Sequence, residues 1–189
     1  MGKNTLFYVK STGRVPTDGI YVKNDEEVSK SENSNINYHK TAEIRTINLF
    51  KKFNLKKNLE SDTAIDLIGN YQGIIFYIEV ERDYATKKWT STNNFPYPKI
   101  NIPVEKGRYF KEYGSKSFYL KYNRTMNELF VVPGDYVVKY SEEEDLYANH
   151  SGFRARRTFL RIDKKYVTFA NVNDVKGIEI LIISKIGKE

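Results

Sequence analysis

The chain has 189 residues, of which 40% are hydrophobic, and its 31 Lys and Arg outweigh 24 Asp and Glu for a formal charge of +7. That balance suits one folded domain with its own core. Cysteine is absent and only two histidines occur, which excludes disulfides, thiolate metal centres, Fe–S clusters, a cysteine nucleophile and a multi-histidine metal site.

Residues Thr5–Lys10 and Gly19–Lys23 read as two short strands around turn-rich sequence, followed by the polar stretch Asn24–Asn37, a loop or linker. Residues 1–37 are therefore expected to be an N-terminal β-hairpin with a polar loop, and 38–189 a single α+β domain. Tyr38–Asn54 reads as the main helix, with Ile36, Ala42, Ile44, Ile47, Phe50 and Phe53 at helical intervals and lysines after its end. Thr63–Ile68 and Ile74–Arg82 read as strands of a hairpin with the loop Gly69–Gly73. Ile100–Val104 reads as a further strand and Gly107–Tyr113 as a short helix. Ser117–Tyr122 and Glu128–Val132 read as a hairpin that Tyr136–Tyr140 extends. Glu142–Asp145 reads as a solvated loop or helix start. Thr158–Ile162 and Tyr166–Asn171 read as another hairpin and Ile178–Ile183 as a last strand, with no second helix as long as the first.

Three features bring acids towards one place. Asp66 sits inside an apolar strand, where a charge is costly unless it is paired or binds a cation. Glu79 and Glu81 share one face of the next strand while Ile78 and Val80 point to the core. Glu43 shares a helix face with Ile47 and Phe50. A loop centred on Tyr71 and Gln72 puts Asp66 opposite Tyr77, with Glu79 as its diagonal neighbour about 7–8 Å away. Hard oxygen donors without Cys or His select Mg²⁺, Mn²⁺ or Ca²⁺. On the blander alternative, Glu79 and Glu81 line a solvated face and Asp66 caps a turn or pairs with a lysine.

The stretch Ile65-Asp66-Leu67-Ile68 … Tyr77-Ile78-Glu79-Val80-Glu81-Arg82, preceded by a helix bearing Glu43, resembles the core of the PD-(D/E)XK nucleases, the restriction-endonuclease-like superfamily. The resemblance spans roughly residues 38–82 and extends loosely to Lys99–Val104 as the next core strand. It implies a restriction-endonuclease-like core of helix, Asp strand and Glu strand with a β-rich C-terminal elaboration, and metal-dependent hydrolysis of phosphodiester bonds, most plausibly in DNA. On that resemblance Asp66 and Glu79 bind Mg²⁺ or Mn²⁺ and Glu43 supports them. The family's usual lysine is replaced by Glu81, which then acts as the base, or Lys87 or Lys88 swings in from the following loop.

Lys88 and Trp89 suit phosphate contact and base stacking, and Arg154, Arg156, Arg157 and Arg161 suit phosphate recognition. The competing readings are a Trp that covers the core edge and arginines partnered with Glu142–Asp145. The main functional alternative is a non-catalytic nucleic-acid-binding protein on a nuclease-like fold. A homodimer is compatible with either. With no run approaching about 18 apolar residues and no signal-peptide pattern at the N-terminus, the expectation is a cytoplasmic protein without a membrane partner.

Overall fold

A computed structural model describes residues 6–8, 20–22, 41–59, 65–83, 89, 94–150 and 153–187, with the backbone alone for 6–8, 20–22, 148–150 and 153–155. The expected loop Asn24–Asn37 lies outside the described residues. Strands β1 (Leu6–Tyr8) and β2 (Ile20–Val22) pair antiparallel. Helix α1 covers 41–49 and buries Ala42 and Thr46, with Phe50 just past its end continuing the same four-residue spacing, while Ile44 is left exposed. Its end is a tight turn over Lys51–Phe53, closed by Asn54 at φ 47°. Asparagine tolerates that left-handed conformation better than most residues.

The chain then enters a six-stranded sheet through β3 (Lys56–Lys57), β4 (Leu67–Tyr71) and β5 (Ile74–Arg82). The β4–β5 connection is tighter than the expected five-residue loop. Gln72 and Gly73 take φ of 53° and 87°, as a two-residue hairpin turn of the primed type requires, and Asn70 Oδ1 accepts from Gly73 N at 3.0 Å. Leu67 therefore faces Ile78, and one step further along the ladder Asp66 is level with Glu79, not with Tyr77. A shift by two residues keeps every side chain on its expected face.

Two faces of this sheet are covered. On one, Phe76, Ile78 and Val80 of β5 pack with Ala42, Phe50 and Phe53 and with Ile178, Ile182 and Ile186 near the C-terminus. Phe76 is fully buried, edge-on to the Phe53 and Phe118 rings at 5.5 and 6.0 Å. It lies across from Gly69, where an added Cβ would come within 2.3 Å of its ring. Phe76→Ala is expected to cost about 3–5 kcal/mol, read as a lower midpoint in chemical denaturation; an unchanged midpoint would show that this face is not the core.

After β5 the chain crosses over through β6 (Lys99–Pro103) and α2 (Gly107–Tyr113) before β7 (Ser117–Tyr122), which joins β5 in parallel, and β8 (Glu128–Pro133) follows as a hairpin. The expectation that Lys99–Val104 is the next strand of the central sheet does not hold. β6 belongs to a separate three-stranded sheet with β9 (Glu142–His150) and β10 (Phe153–Asp163), which covers the second face. That core holds Trp89, Ile100, Ile102, Phe110, Tyr119, Phe130, Val132, Val137 and Ile162.

Four further expectations are corrected. Gly134–Tyr140 is a helix, α3, and not a strand extension; Tyr136 and Tyr140, one turn apart, bring their rings to 5.5 Å. Glu142–Asp145 opens strand β9, because the arginines of β10 opposite supply the compensating charge. The two segments around Asp163–Lys165 do not form a hairpin: β11 (Thr168–Asn171) pairs with β8 at the edge of the large sheet. Finally, Ile178–Ile183 lies in a helix, α4 (Lys176–Ile186). Ile178, Ile182 and Ile186 are buried at four-residue spacing while Ile180 is 61% exposed, so helical periodicity prevails over β-branched composition. The result is an α+β fold in which α1, β4 and the Glu-bearing β5 follow in the expected order, but Asp66, expected inside a strand, stands just before β4. Among the described residues no helix is long and apolar enough to cross a membrane.

Candidate active site

Glu79 is carried by the central strand β5, on the face opposite Ile78 and Val80, and its side chain is only 1% exposed. Asp66 reaches it from the position just before β4. There the ladder stops, and the Asp66 carboxylate takes the place of a strand carbonyl by accepting from Val80 N at 2.7 Å. Part of the Asp66 role is thus the capping one weighed from sequence. Its charge is also felt by Glu79. Burial, then the neighbouring Asp66 carboxylate, pushes the Glu79 carboxyl up from 4.5 to about 8, against the pull of Lys106.

Lys106, on the turn that leads into α2, places its ammonium on Glu79 Oε1. Glu79 Oε2 is buried and has no hydrogen-bond partner among the described residues. Burial works against the Lys106 charge, but the Glu79, Asp66 and Glu81 carboxylates together hold its ammonium above its ordinary value.

Glu81 has a different environment. The parallel register sets it beside Lys121 and sets Glu79 beside Tyr119. Lys121 Nζ lies 3.1 Å from Glu81 Oε2, which also accepts from the Tyr119 hydroxyl. Burial alone would raise Glu81, yet Lys121 and these hydrogen bonds outweigh it and bring its carboxyl below the usual range. The Tyr119 phenol is held well above its ordinary value by burial and by the Glu81 charge. Two glutamates two residues apart are thus split, one poorly compensated and one firmly ionised.

The third acid does not join them. Glu43 on α1 binds Lys57 of the edge strand β3, and among the described residues no three acids or histidines gather as a metal-binding group. Two carboxylates still suit Mg²⁺, which is usually held by one or two of them with water and phosphate completing the shell. The unpartnered Glu79 oxygen is a fitting donor.

The expected nucleic-acid contacts are redistributed. Trp89 is 1% exposed, donates from its ring nitrogen to Asp83 at 3.3 Å and meets Phe95, Phe130 and Phe169. It is a core residue with no ring face left for a base. Arg156 pairs with Asp145 at 2.9 Å, Arg157 with Glu105 at 2.7 Å, and Arg161 with Glu144 and with Asn101 at 3.2 Å. These three guanidinium groups bind acids of the protein itself. Arg154 lies on β10 with its backbone alone described, and Lys87 and Lys88 lie outside the described residues.

Sequence reasoning missed Lys106, Lys121 and Tyr119. Lys121 was accessible only through the parallel β5–β7 pairing, and Lys106 only through the crossover that returns the chain to the same face. No local motif marks either.

No protein-family model matches the chain, and no curated protein matches it. Among solved structures it is similar to a bacterial homing endonuclease, with 18% identity over 62% of this chain and 83% of that one, and a TM-score of 0.38. It is also similar to a nuclease from a fusselovirus, with 13% identity over 84% of this chain and 87% of that one, again at a TM-score of 0.38.

Proposed function

We propose that this chain is a divalent-metal-dependent nuclease that hydrolyses phosphodiester bonds in DNA, with Asp66 and Glu79 as the residues that would hold Mg²⁺ or Mn²⁺. The observation that carries this reading is the Glu79 carboxylate, buried beside Asp66 with one oxygen that has no donor among the described residues. Lys106 meets one oxygen of this carboxylate, and a buried second oxygen without a partner is costly unless a further cation comes to it. A bound divalent ion supplies a polarised phosphoryl oxygen and a water of lowered pKa.

The protein's own groups divide the remaining work. Lys106, held charged, is a donor next to the scissile phosphate and balances the charge that develops there. Glu81, fixed by Lys121 and Tyr119, keeps Lys121 and the β5–β7 junction in place; its low proton affinity makes it a poor base. In this reading Glu43 tethers α1 to β3 through Lys57 and stays outside the ion's coordination. Lys106→Gln is expected to slow cleavage by about 10²–10³-fold while the stabilisation produced by Mg²⁺ persists. Loss of the metal response as well would move Lys106 from the reaction to the integrity of the site.

Conversion of supercoiled DNA to nicked and linear forms with Mg²⁺ or Mn²⁺, and its absence in EDTA, tests the reading directly. The second reading, a nucleic-acid binder without catalysis, draws on Lys106 already sitting on Glu79 and on the lack of a three-acid group among the described residues. It prevails if the wild-type chain binds but cuts neither DNA nor RNA with either metal.

A further inference from the structure

Away from the carboxylates, helix α3 and the turn at Lys164–Tyr166 bring three tyrosines together. The Tyr140 and Tyr166 rings lie 4.1 Å apart and within 4° of parallel, and Tyr136 meets both at 5.5 and 6.0 Å. All three are partly exposed.

Each ring carries an ammonium group: Lys185 over Tyr136 at 3.6 Å, Lys139 over Tyr140 at 5.2 Å and Lys165 over Tyr166 at 5.0 Å. Lys185 is buried and neutralised by Asp135 at 2.5 Å. Lys139 and Lys165 are exposed, and among the described residues neither pairs with a carboxylate. The nearby Asp163 caps the turn by accepting from the Lys165 backbone N–H at 2.9 Å, and Glu142 is bound to Lys99 at 2.7 Å.

The contrast with β10 is informative. There Arg156, Arg157 and Arg161 are paired with acids, whereas Lys139 and Lys165, without a carboxylate partner among the described residues, are set on aromatic rings. Exposed cations beside a flat aromatic stack meet both demands of an unpaired nucleotide, a charge for its phosphate and a π-face for its base. Duplex DNA, whose bases are already stacked, can use only the cations.

We propose that Tyr136, Tyr140 and Tyr166 with Lys139 and Lys165 form a binding surface for single-stranded nucleic acid. The lysines contact phosphates, and a base stacks on the tyrosine pair once a lysine moves off its ring. The surface does not depend on the carboxylate site, so it stands whether or not the chain cleaves.

The test is fluorescence anisotropy of the full chain with a labelled oligothymidylate and with a duplex of equal length, both in EDTA. The wild type should bind the single strand more tightly. Tyr166→Leu, which keeps apolar bulk, should weaken single-strand binding by roughly 5- to 100-fold, the range of one lost base–aromatic stack, and leave the duplex nearly unaffected. Lys139→Gln with Lys165→Gln should weaken both and lower the salt slope by about one to two. A circular dichroism melt of each variant confirms that it is folded; if Tyr166→Leu is not, the lysine pair and quenching of wild-type tyrosine fluorescence by the oligothymidylate decide. Equal binding of single strand and duplex by the wild type, or folded variants that bind as the wild type does, overturns the proposal. A surface that instead takes a protein partner would give the same result.

Discussion

Asp66→Asn and Glu79→Gln should each reduce Mg²⁺-dependent nicking of supercoiled DNA to the assay background. Both changes keep side-chain shape and remove one ligand charge. Among the described residues no group of three acids gathers there, so the loss of either carboxylate should not be covered by another. Binding of DNA in EDTA should stay the same or tighten slightly, because a carboxylate facing phosphate repels it. The two variants differ in one respect. Asp66→Asn can still accept from Val80 N, so it should melt close to the wild type. Glu79→Gln puts a permanently neutral group beside Lys106, so its metal-free stability should no longer follow the Glu79 proton. Cleavage that survives in Asp66→Asn would place the chemistry elsewhere in the chain or in a contaminant.

Metal-free stability should fall as the pH rises through the neutral range, and Mg²⁺ should restore it. Burial and then Asp66 raise the Glu79 carboxyl from 4.5 to about 8 in the folded chain. Between those values the folded protein holds a proton that the unfolded chain has lost. The contribution is therefore fully present below about 4.5 and is lost as the pH rises through about 8. A cation on Asp66 and Glu79 requires the ionised form, so its binding releases that proton and tightens with pH. The rise in melting temperature produced by Mg²⁺ should accordingly be larger at about pH 8 than at about pH 6. It should vanish in Glu79→Gln. An Mg²⁺ effect equal at both pH values, or one that persists in that variant, would remove Glu79 from the ion's ligands.

The acids and the core could be read from sequence for a common reason: alternation along Ile74–Arg82 assigns faces without knowledge of the rest of the chain. Ile78 and Val80 face the core and Glu79 and Glu81 the other side, as that alternation requires. The register was harder, because Gln72 at positive φ moved the turn and brought Asp66 level with Glu79. Residues joined only by long-range pairing left no local trace. Lys106 and Lys121 reach the glutamates through a parallel crossover, and a lysine before a helix or inside a strand looks like any other. Composition misled at both ends of the C-terminal half. Isoleucines suggested a strand where their four-residue spacing makes α4, and the acidic run at Glu142 suggested a loop where paired arginines make β9. Trp89 beside two lysines resembled a stacking platform, yet the indole is large enough to fill the second core.

The acidic run also bears on how copies of this chain meet. β9 is an outer strand of the three-stranded sheet, so one of its sides offers backbone groups that another strand could zip onto. Glu142, Glu143, Glu144 and Asp145 crowd that border, and a second copy approaching in the same way brings four acids against them, of which Glu142, Glu144 and Asp145 are already paired within the chain. At the border of the large sheet, β3 is two residues long, and both are lysines. Short or like-charged borders of this kind resist edge-to-edge growth and the fibrils that follow from it. At these two borders, extension of the sheet by a second copy is thereby disfavoured.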